Sequence, residues 1–278
     1  MAASTIPTCL AIHDLSCIGR ASLTAVIPVL SVLGVQAVPL PTAMYSNHLG
    51  FTTWHVTPID TQREIMDAWE ANDVHIDAVY SGFLASPAQI GLVREAISRY
   101  GSVGKLVVVD PAMADHGALY ASYDDEMIAA MRRLATEAGV LLPNWTEACF
   151  LTGTPYTEHP AAALVREVAE GLADGRRRVI ITSVPLTDEV HANILCDGER
   201  GRFTTTEYEC IDRRTVGTGD LFAAAVTGLL LRGRRADAAM RTATEFVTGA
   251  VRRLAVNDAD PRYGVPFEPE LIRLRQED

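Results

Sequence analysis

Short apolar runs alternate along the chain with longer stretches whose apolar positions recur at helical spacing. Six runs have strand length: Thr8 to Ile12, Val35 to Leu40, Ile76 to Tyr80, Leu106 to Val109, Val140 to Leu142 and Val179 to Thr182. Several, such as LVVV and VIIT, are apolar on both faces, as strands covered by helices on two sides must be. The spacing predicts helices at about Gly19 to Leu33, Thr61 to Asn72, Pro87 to Tyr100, Tyr123 to Ala138, Pro160 to Ala173, Gly219 to Leu231 and Ala236 to Leu254. The alternation predicts an α/β fold on a mostly parallel sheet. The first helix is apolar nearly all round and carries Pro28, so it is expected to be buried and kinked, with Gly34 as its left-handed cap. Beyond Thr182, Ala192 to Cys196 and Phe203 to Tyr208 flank Asp197-Gly198 and predict an antiparallel hairpin at a sheet edge. No linker, repeat or low-complexity block interrupts the pattern, so residues 1–278 are expected to form one domain, with Asp260 to Asp278 as a surface coda.

Charge narrows the partners. A formal net charge of -11 repels phosphate backbones, so a general nucleic-acid binder is excluded and any anionic ligand must be held locally. The longest apolar run, Leu221 to Leu231, is well short of the roughly 18 to 20 residues of a membrane span. The N-terminus, MAASTIPTCLAIHD, has no basic start before its apolar stretch; no secretory signal is expected, and the cytoplasm is the expected compartment. Five scattered cysteines without a CxxC pair argue against a disulfide framework or a zinc site, and the histidines form no HExxH. Arg176-Arg177-Arg178 reads as a solvated edge.

Open parallel sheets bind ligands beyond the carboxyl ends of their strands. The residues that follow the apolar runs are Asp14; Ser46, Asn47 and His48; Ser81, Gly82 and Phe83; Asp110; Asn144 with Glu147; Thr182 and Ser183; and Gly217, Thr218, Gly219 and Asp220. The strongest signal is VGTGDLFAAAVTGLLL, two glycines, a threonine and an acid at the mouth of an apolar helix. Free amides and the helix dipole there suit a transferring phosphoryl group, and Asp220 is placed to accept a proton from, or orient, a substrate hydroxyl. The helix start is expected to depress the Asp220 pKa; a merely capped helix remains the alternative. In LVVVDPAMADHGALY, Asp110 and Asp115 suit Mg²⁺ through oxygen ligands and water, although an acid before proline is equally a turn former. Asn144 and Glu147 fit a capping box, or the shell of Mg²⁺ and phosphates. His13-Asp14 lacks the further helical histidines of a phosphohydrolase metal site, and neither GxGxxG after the first strand nor GxxxxGK[ST] is present.

In this order, AIHDLSCIGRASLTAVIPVL, SNHLG, YSGFL, DPAMAD, NWTE and VGTGDLFAA resemble the ribokinase-like superfamily, and within it the pyridoxal kinases. The resemblance spans nearly the whole chain. It implies a three-layer α/β/α sandwich with antiparallel edge strands. A large β-lid is not expected, because only about 35 residues separate Leu40 from Ile76. It implies Asp220 as catalytic base with Gly217, Thr218 and Gly219 as the anion hole. Asp110, Asn144, Glu147, Thr182 and Ser183 would lie around ATP, with Asp110, Asp115 and Glu147 toward Mg²⁺. Asp14, Ser46, Asn47, His48, Phe83 and Asp220 would line the substrate. A cytoplasmic homodimer that phosphorylates the 5′-hydroxymethyl group of a vitamin B6 vitamer is implied, with a monovalent-cation requirement left open. Hydroxymethylpyrimidine kinases are similar, but usually carry cysteine where this chain has Asp220; a non-catalytic vitamer or nucleotide binder is the third reading. Pyridoxal kinases commonly have serine at the position of Asp14, threonine at Leu49 and tyrosine at Phe83. A carboxylate at Asp14 would favour a cationic aminomethyl group, hence pyridoxamine.

Overall fold

The computed structural model of the chain describes residues 6–211, 215–257 and 260–275. Its main sheet runs β11-β10-β9-β8-β5-β4-β1-β2-β3. The strands are β1 (Thr8–Ser16), β2 (Gln36–Tyr45), β3 (Val56–Pro58), β4 (Ala78–Ser81), β5 (Leu106–Val109), β8 (Val140–Leu141), β9 (Arg178–Pro185), β10 (Val190–Asp197) and β11 (Arg202–Glu209). A two-stranded ribbon, β6 (Ala114–Asp115) with β7 (Ala118–Leu119), stands apart. From β2 to β9 the pairings are parallel; β3 at one edge and the β10–β11 hairpin at the other are antiparallel.

The helices are α1 (Leu23–Val32), α2 (Gln62–Ala71), α3 (Pro87–Tyr100), α4 (Asp125–Ala135), α5 (Trp145–Thr152), α6 (Ala162–Ala173), α7 (Thr218–Leu231) and α8 (Ala236–Val256). Strand alternation sorts the core into two layers. Leu10, Ile12 and Val79 pack against α2 to α6, whereas Cys9, Ala11 and Tyr80 pack against α1, α7 and α8. The central strands are therefore apolar on both faces, and the three-layer α/β/α sandwich is the ribokinase-like architecture expected. Pro28 lies inside α1, and Gly34 takes the left-handed conformation (φ 71°) after its end.

Four expectations are corrected. β1 continues past Ile12 to Ser16, because backbone pairing with β2 persists where the apolar run stops; its polar end carries His13, Asp14 and Ser16. β9 likewise continues past Thr182 to Pro185. The segment after Asp260 is not a surface coda: Val265, Phe267 and Leu274 are buried against α1, α7 and α8. Arg177 is not a solvated edge either; it is buried and donates to the Ala135 carbonyl at the end of α4 (2.9 Å), satisfying a helix C-terminal acceptor.

Candidate active site

The carboxyl ends of β1, β4 and β5 bring His13, Tyr80 and Asp110 onto the face that carries α7. The His13 ring stands edge-on to Tyr80 at 4.5 Å, and His13 Nδ1 lies 3.9 Å from Asp220 Oδ1. An ideal Cβ on Gly219 would sit 4.0 Å from Asp110 Oδ2, so the first turn of α7 is directly over that acid. Gly217 makes this approach possible. Its φ of 85° suits glycine, and any side chain would overlap the Arg20 carbonyl. The α7 start and the loop before α1 therefore touch backbone to backbone.

The amides of Thr218, Gly219 and Asp220 have no acceptor among the described residues, since α7 begins with no side-chain cap. Burial raises the Asp220 pKa to about 7; the Ser22 amide opposes this rise and the nearby Asp14 adds to it. The expected depression by the helix dipole is thus overturned by desolvation. The side chain still keeps 16% of its surface exposed at the mouth of the helix.

Asp14 turns inward. It is buried, and its two oxygens accept from the Ser22 hydroxyl (2.5 Å) and the Ser16 hydroxyl (3.1 Å). Both of its oxygens are thus held by hydroxyls of its own chain. Ser22 in turn gives its amide to Asp220 Oδ2 at 2.8 Å. The apolar spacing, which predicts a helix from Gly19, places Ser22 inside that helix, whereas α1 begins at Leu23 and leaves Ser22 outside it.

The acids of the middle strands divide. Asp110 is buried with no donor to its carboxylate among the described residues, and its pKa is raised well above the ordinary value by burial, by Glu147 and by Asp220. Glu147 is buried and raised to about 8. Its oxygens accept from the Asn144 amide (2.7 Å) and the Met113 amide (3.0 Å), while the Asn144 side chain accepts from the Glu147 amide and donates to the Ala114 carbonyl (2.8 Å). The capping box is real, and it also clamps the loop after Asp110. Asp115 stands at the rim of this group: it sits on the β6–β7 ribbon, 55% exposed and bonded to the His116 amide, and its charge adds to the rise at Glu147. Among the described residues no three acids, histidines or cysteines gather as a metal site.

Thr182 adjoins Asn144 through a parallel bridge, so the segment after β8 runs beside the middle of β9 there. The register of β9 on β10 shifts at this point, and Ser183 is left-handed (φ 54°) with its hydroxyl 3.2 Å from the Tyr208 hydroxyl. This bulge re-aims the strand end, a common device beside active sites. Phe83 stacks loosely with Tyr120 (6.4 Å) and Tyr123 (6.5 Å), whose own hydroxyl is buried without a partner.

Ser46 and Asn47 are spent on their loop: the Ser46 hydroxyl donates to Asn47 and accepts from the His55 amide, and Asn47 donates to the Thr53 carbonyl. His48 is buried, with Nδ1 accepting from the Gly50 amide and Nε2 donating to the Arg262 carbonyl. Its ring covers Gly19. His48 therefore ties the loop before α1 to the C-terminal segment, which also accepts the Arg20 amide at the Tyr263 carbonyl (3.1 Å).

His13 is fully buried, with neither ring nitrogen hydrogen-bonded among the described residues, and burial holds its pKa at about 3, so the ring facing Asp220 is neutral. The Tyr80 and Ser81 hydroxyls beside it are also buried without hydrogen-bond partners among the described residues. Unsatisfied buried polar groups are uncommon in native folds and concentrate where a protein meets a ligand or ordered water.

Fold and site together define a kinase of the ribokinase-like α/β type. The chain belongs to the family described as phosphomethylpyrimidine kinase, which matches residues 17–262. A pyridoxine kinase from Bacillus subtilis is 32% identical over 254 residues, 89% of each chain. A hydroxymethylpyrimidine/phosphomethylpyrimidine kinase from the same organism is 31% identical over 224 residues, 80% of this chain and 79% of the relative. A Bacteroides thetaiotaomicron protein, described provisionally as a phosphomethylpyrimidine kinase and solved with pyridoxal, is 35% identical, with a TM-score of 0.93 over 98% of this chain and 97% of that one. No helix among the described residues is long and apolar enough to cross a membrane.

Proposed function

We propose that this chain transfers the γ-phosphoryl group of ATP to the 5′-hydroxymethyl group of a vitamin B6 vitamer: pyridoxal, pyridoxine or pyridoxamine. The observation that carries the reading is Asp220, an acid with a pKa near 7 at a helix mouth whose first amides are free. A base is most useful when it titrates near working pH. Asp220 accepts the proton of the acceptor hydroxyl as the bond to phosphorus forms, while the amides of Thr218 and Gly219 hold the charge on the transferring oxygens. Thr182 and Ser183, at the irregularity within β9, and Asn144 beside them are the residues assigned to the nucleotide phosphates.

The buried acids fit a magnesium ion. Burial, Glu147 and Asp220 raise the proton affinity of Asp110, burial and Asp115 raise that of Glu147, and among the described residues Asp110 has no hydrogen-bond donor. Magnesium is held in such kinases by one or two carboxylates, waters and phosphates, so a three-ligand protein cage is not required. Asp110 would hold it with Glu147 behind. The ion would supply charge neutralisation at the phosphates. Asp115, exposed on its ribbon, takes no part in this assignment.

A second reading, phosphorylation of hydroxymethylpyrimidine, is favoured by the near-equal identities to relatives of both names. The resemblance weighs against it through the acid at position 220. An ADP-release assay across the three vitamers and hydroxymethylpyrimidine, with Asp220→Asn as control, separates the readings. Vitamer-dependent turnover that falls by about 10²- to 10⁴-fold in the variant is expected. Turnover with the pyrimidine alone gives the second reading, and none at all gives a non-catalytic binder. Undiminished turnover in Asp220→Asn refutes the base.

A further inference from the structure

The residue that holds Asp220 in place is Ser22, and its conformation is unusual. With φ 52° and ψ -136°, it occupies a region that glycine enters freely and a residue with a side chain rarely does. Helix capping does not account for it. A capping serine is extended and accepts an amide of the first turn, whereas Ser22 makes no such bond. Its hydroxyl goes instead to Asp14 Oδ1 at 2.5 Å, and its amide goes to Asp220 Oδ2 at 2.8 Å.

These facts have one explanation in common. Were Ser22 to relax to negative φ, its amide would turn away from Asp220, and the carboxylate would lose its hydrogen bond among the described residues. The Asp14 carboxylate, itself steadied by Ser16, holds the hydroxyl so that this relaxation costs a buried charge-assisted bond. The neighbours on both sides are fixed as well: Arg20 by Tyr263 and by the Gly217 contact, and the α1 turn by the Ser22 carbonyl, which accepts from Ala25 and Val26. A strained residue between two anchored segments is over-determined, as strain at a working site must be.

We propose that Ser22 is the positioning residue for the base, its backbone locked by the hydroxyl bond to Asp14 so that its amide aims the Asp220 carboxylate at the acceptor hydroxyl. Asp14 acts through Ser22, by offering an acceptor oxygen, and not by presenting charge to the substrate. This inference rests on the phosphotransfer reading of Asp220.

The test is a double-mutant cycle with two readouts. Asp14→Ala lowers kcat by about 10- to 100-fold, the scale of a lost charge-assisted hydrogen bond, with KM for ATP within about twofold. Asp14→Asn, which retains an acceptor but not the charge, recovers part of that loss. In a Ser22→Gly background, where the conformation needs no support, Asp14→Ala costs no more than about twofold. The second readout is the backbone amide resonance of residue 22 in ¹⁵N-labelled protein. It shifts on Asp220→Asn, moves in Asp14→Ala, and returns in Asp14→Asn. Equal losses from Asp14→Ala in both backgrounds, or an Asp14→Asn variant as poor as Asp14→Ala, overturn the proposal in favour of direct action of Asp14 on substrate. An amide indifferent to Asp220→Asn overturns it too. If the amide behaves as described while no vitamer or pyrimidine supports ADP release, the reaction assignment fails and the positioning stands.

Discussion

Gly217→Ala tests whether the start of α7 is set by its contact with the loop before α1. A methyl group at this position would overlap the Arg20 carbonyl oxygen and lie 3.0 Å from its carbon and 3.3 Å from the Ala21 Cα. Favourable carbon contacts lie at about 3.5–4.0 Å, so one backbone must retreat by roughly 0.5–1 Å, and the oxygen overlap asks for more. Neither side yields freely, because Arg20 is bonded to Tyr263 and its neighbour Ser22 to Asp14 and Asp220. The φ of 85° adds the strain of alanine in a left-handed conformation, of order 1–3 kcal/mol. For a chain of this size that is a fall in Tm of roughly 2–4 °C per kcal/mol. The displacement falls three residues before Asp220, and misplacing a reacting group by about 1 Å can cost 10²-fold in rate. Gly219→Ala is the control. Its φ is ordinary and its nearest atom would be Asp110 Oδ2 at 4.0 Å, so the fold tolerates the methyl group, which instead enters the space assigned to the phosphoryl group. Steady-state ADP release with differential scanning calorimetry separates the two. Gly217→Ala is expected to lose both Tm and about 10²-fold in kcat, and Gly219→Ala activity with little change in Tm. A Gly217→Ala enzyme with wild-type kcat and Tm would refute the argument that this contact sets the base.

Three further outcomes follow from the geometry. Because Asp220 must be unprotonated to accept a proton and titrates near 7, kcat/KM for the vitamer should climb tenfold per pH unit below about 7 and level above it; a flat profile from pH 5.5 to 8.5 contradicts this. Asp220 and Glu147 bind protons more tightly folded than unfolded, so their contribution to stability is present at low pH and is lost as pH rises through the folded values of about 7 and about 8. The Tm without ligand should accordingly fall between about pH 5 and pH 8, and a Tm that rises over that interval would count against buried, uncompensated acids. Phe267→Ala should destabilise by about 3–5 kcal/mol in denaturant titration, as a core aromatic does, whereas a residue in a surface tail would give under about 0.5 kcal/mol.

Local pattern along the chain carried the layered architecture and pointed to the strand ends where the chemistry lies. Doubly apolar strands such as Leu106–Val109 need helices on both faces, and amphipathic spacing located helices to within a few residues, Pro87–Tyr100 without error. The helix mouth at Gly217 to Asp220 was legible because glycine, a free first turn and an acid are local properties of a short segment. Local pattern could not say what an element packs against. Phe267 and Leu274 stand among charged residues, and only the faces of α1, α7 and α8 make them core. Glu147 and Asp115 looked alike as acids beside a strand end; folding clamped one onto two loop amides and turned the other to solvent. The sign of the Asp220 pKa change was decided the same way, since the helix dipole is written in the sequence while burial beside His13, Asp14 and Ser22 is not. Those three lie some two hundred residues earlier in the chain. Hydrophobic periodicity reports which side of an element is buried, whereas hydrogen bonding and charge depend on distances of a few ångströms between segments that only the tertiary fold brings together.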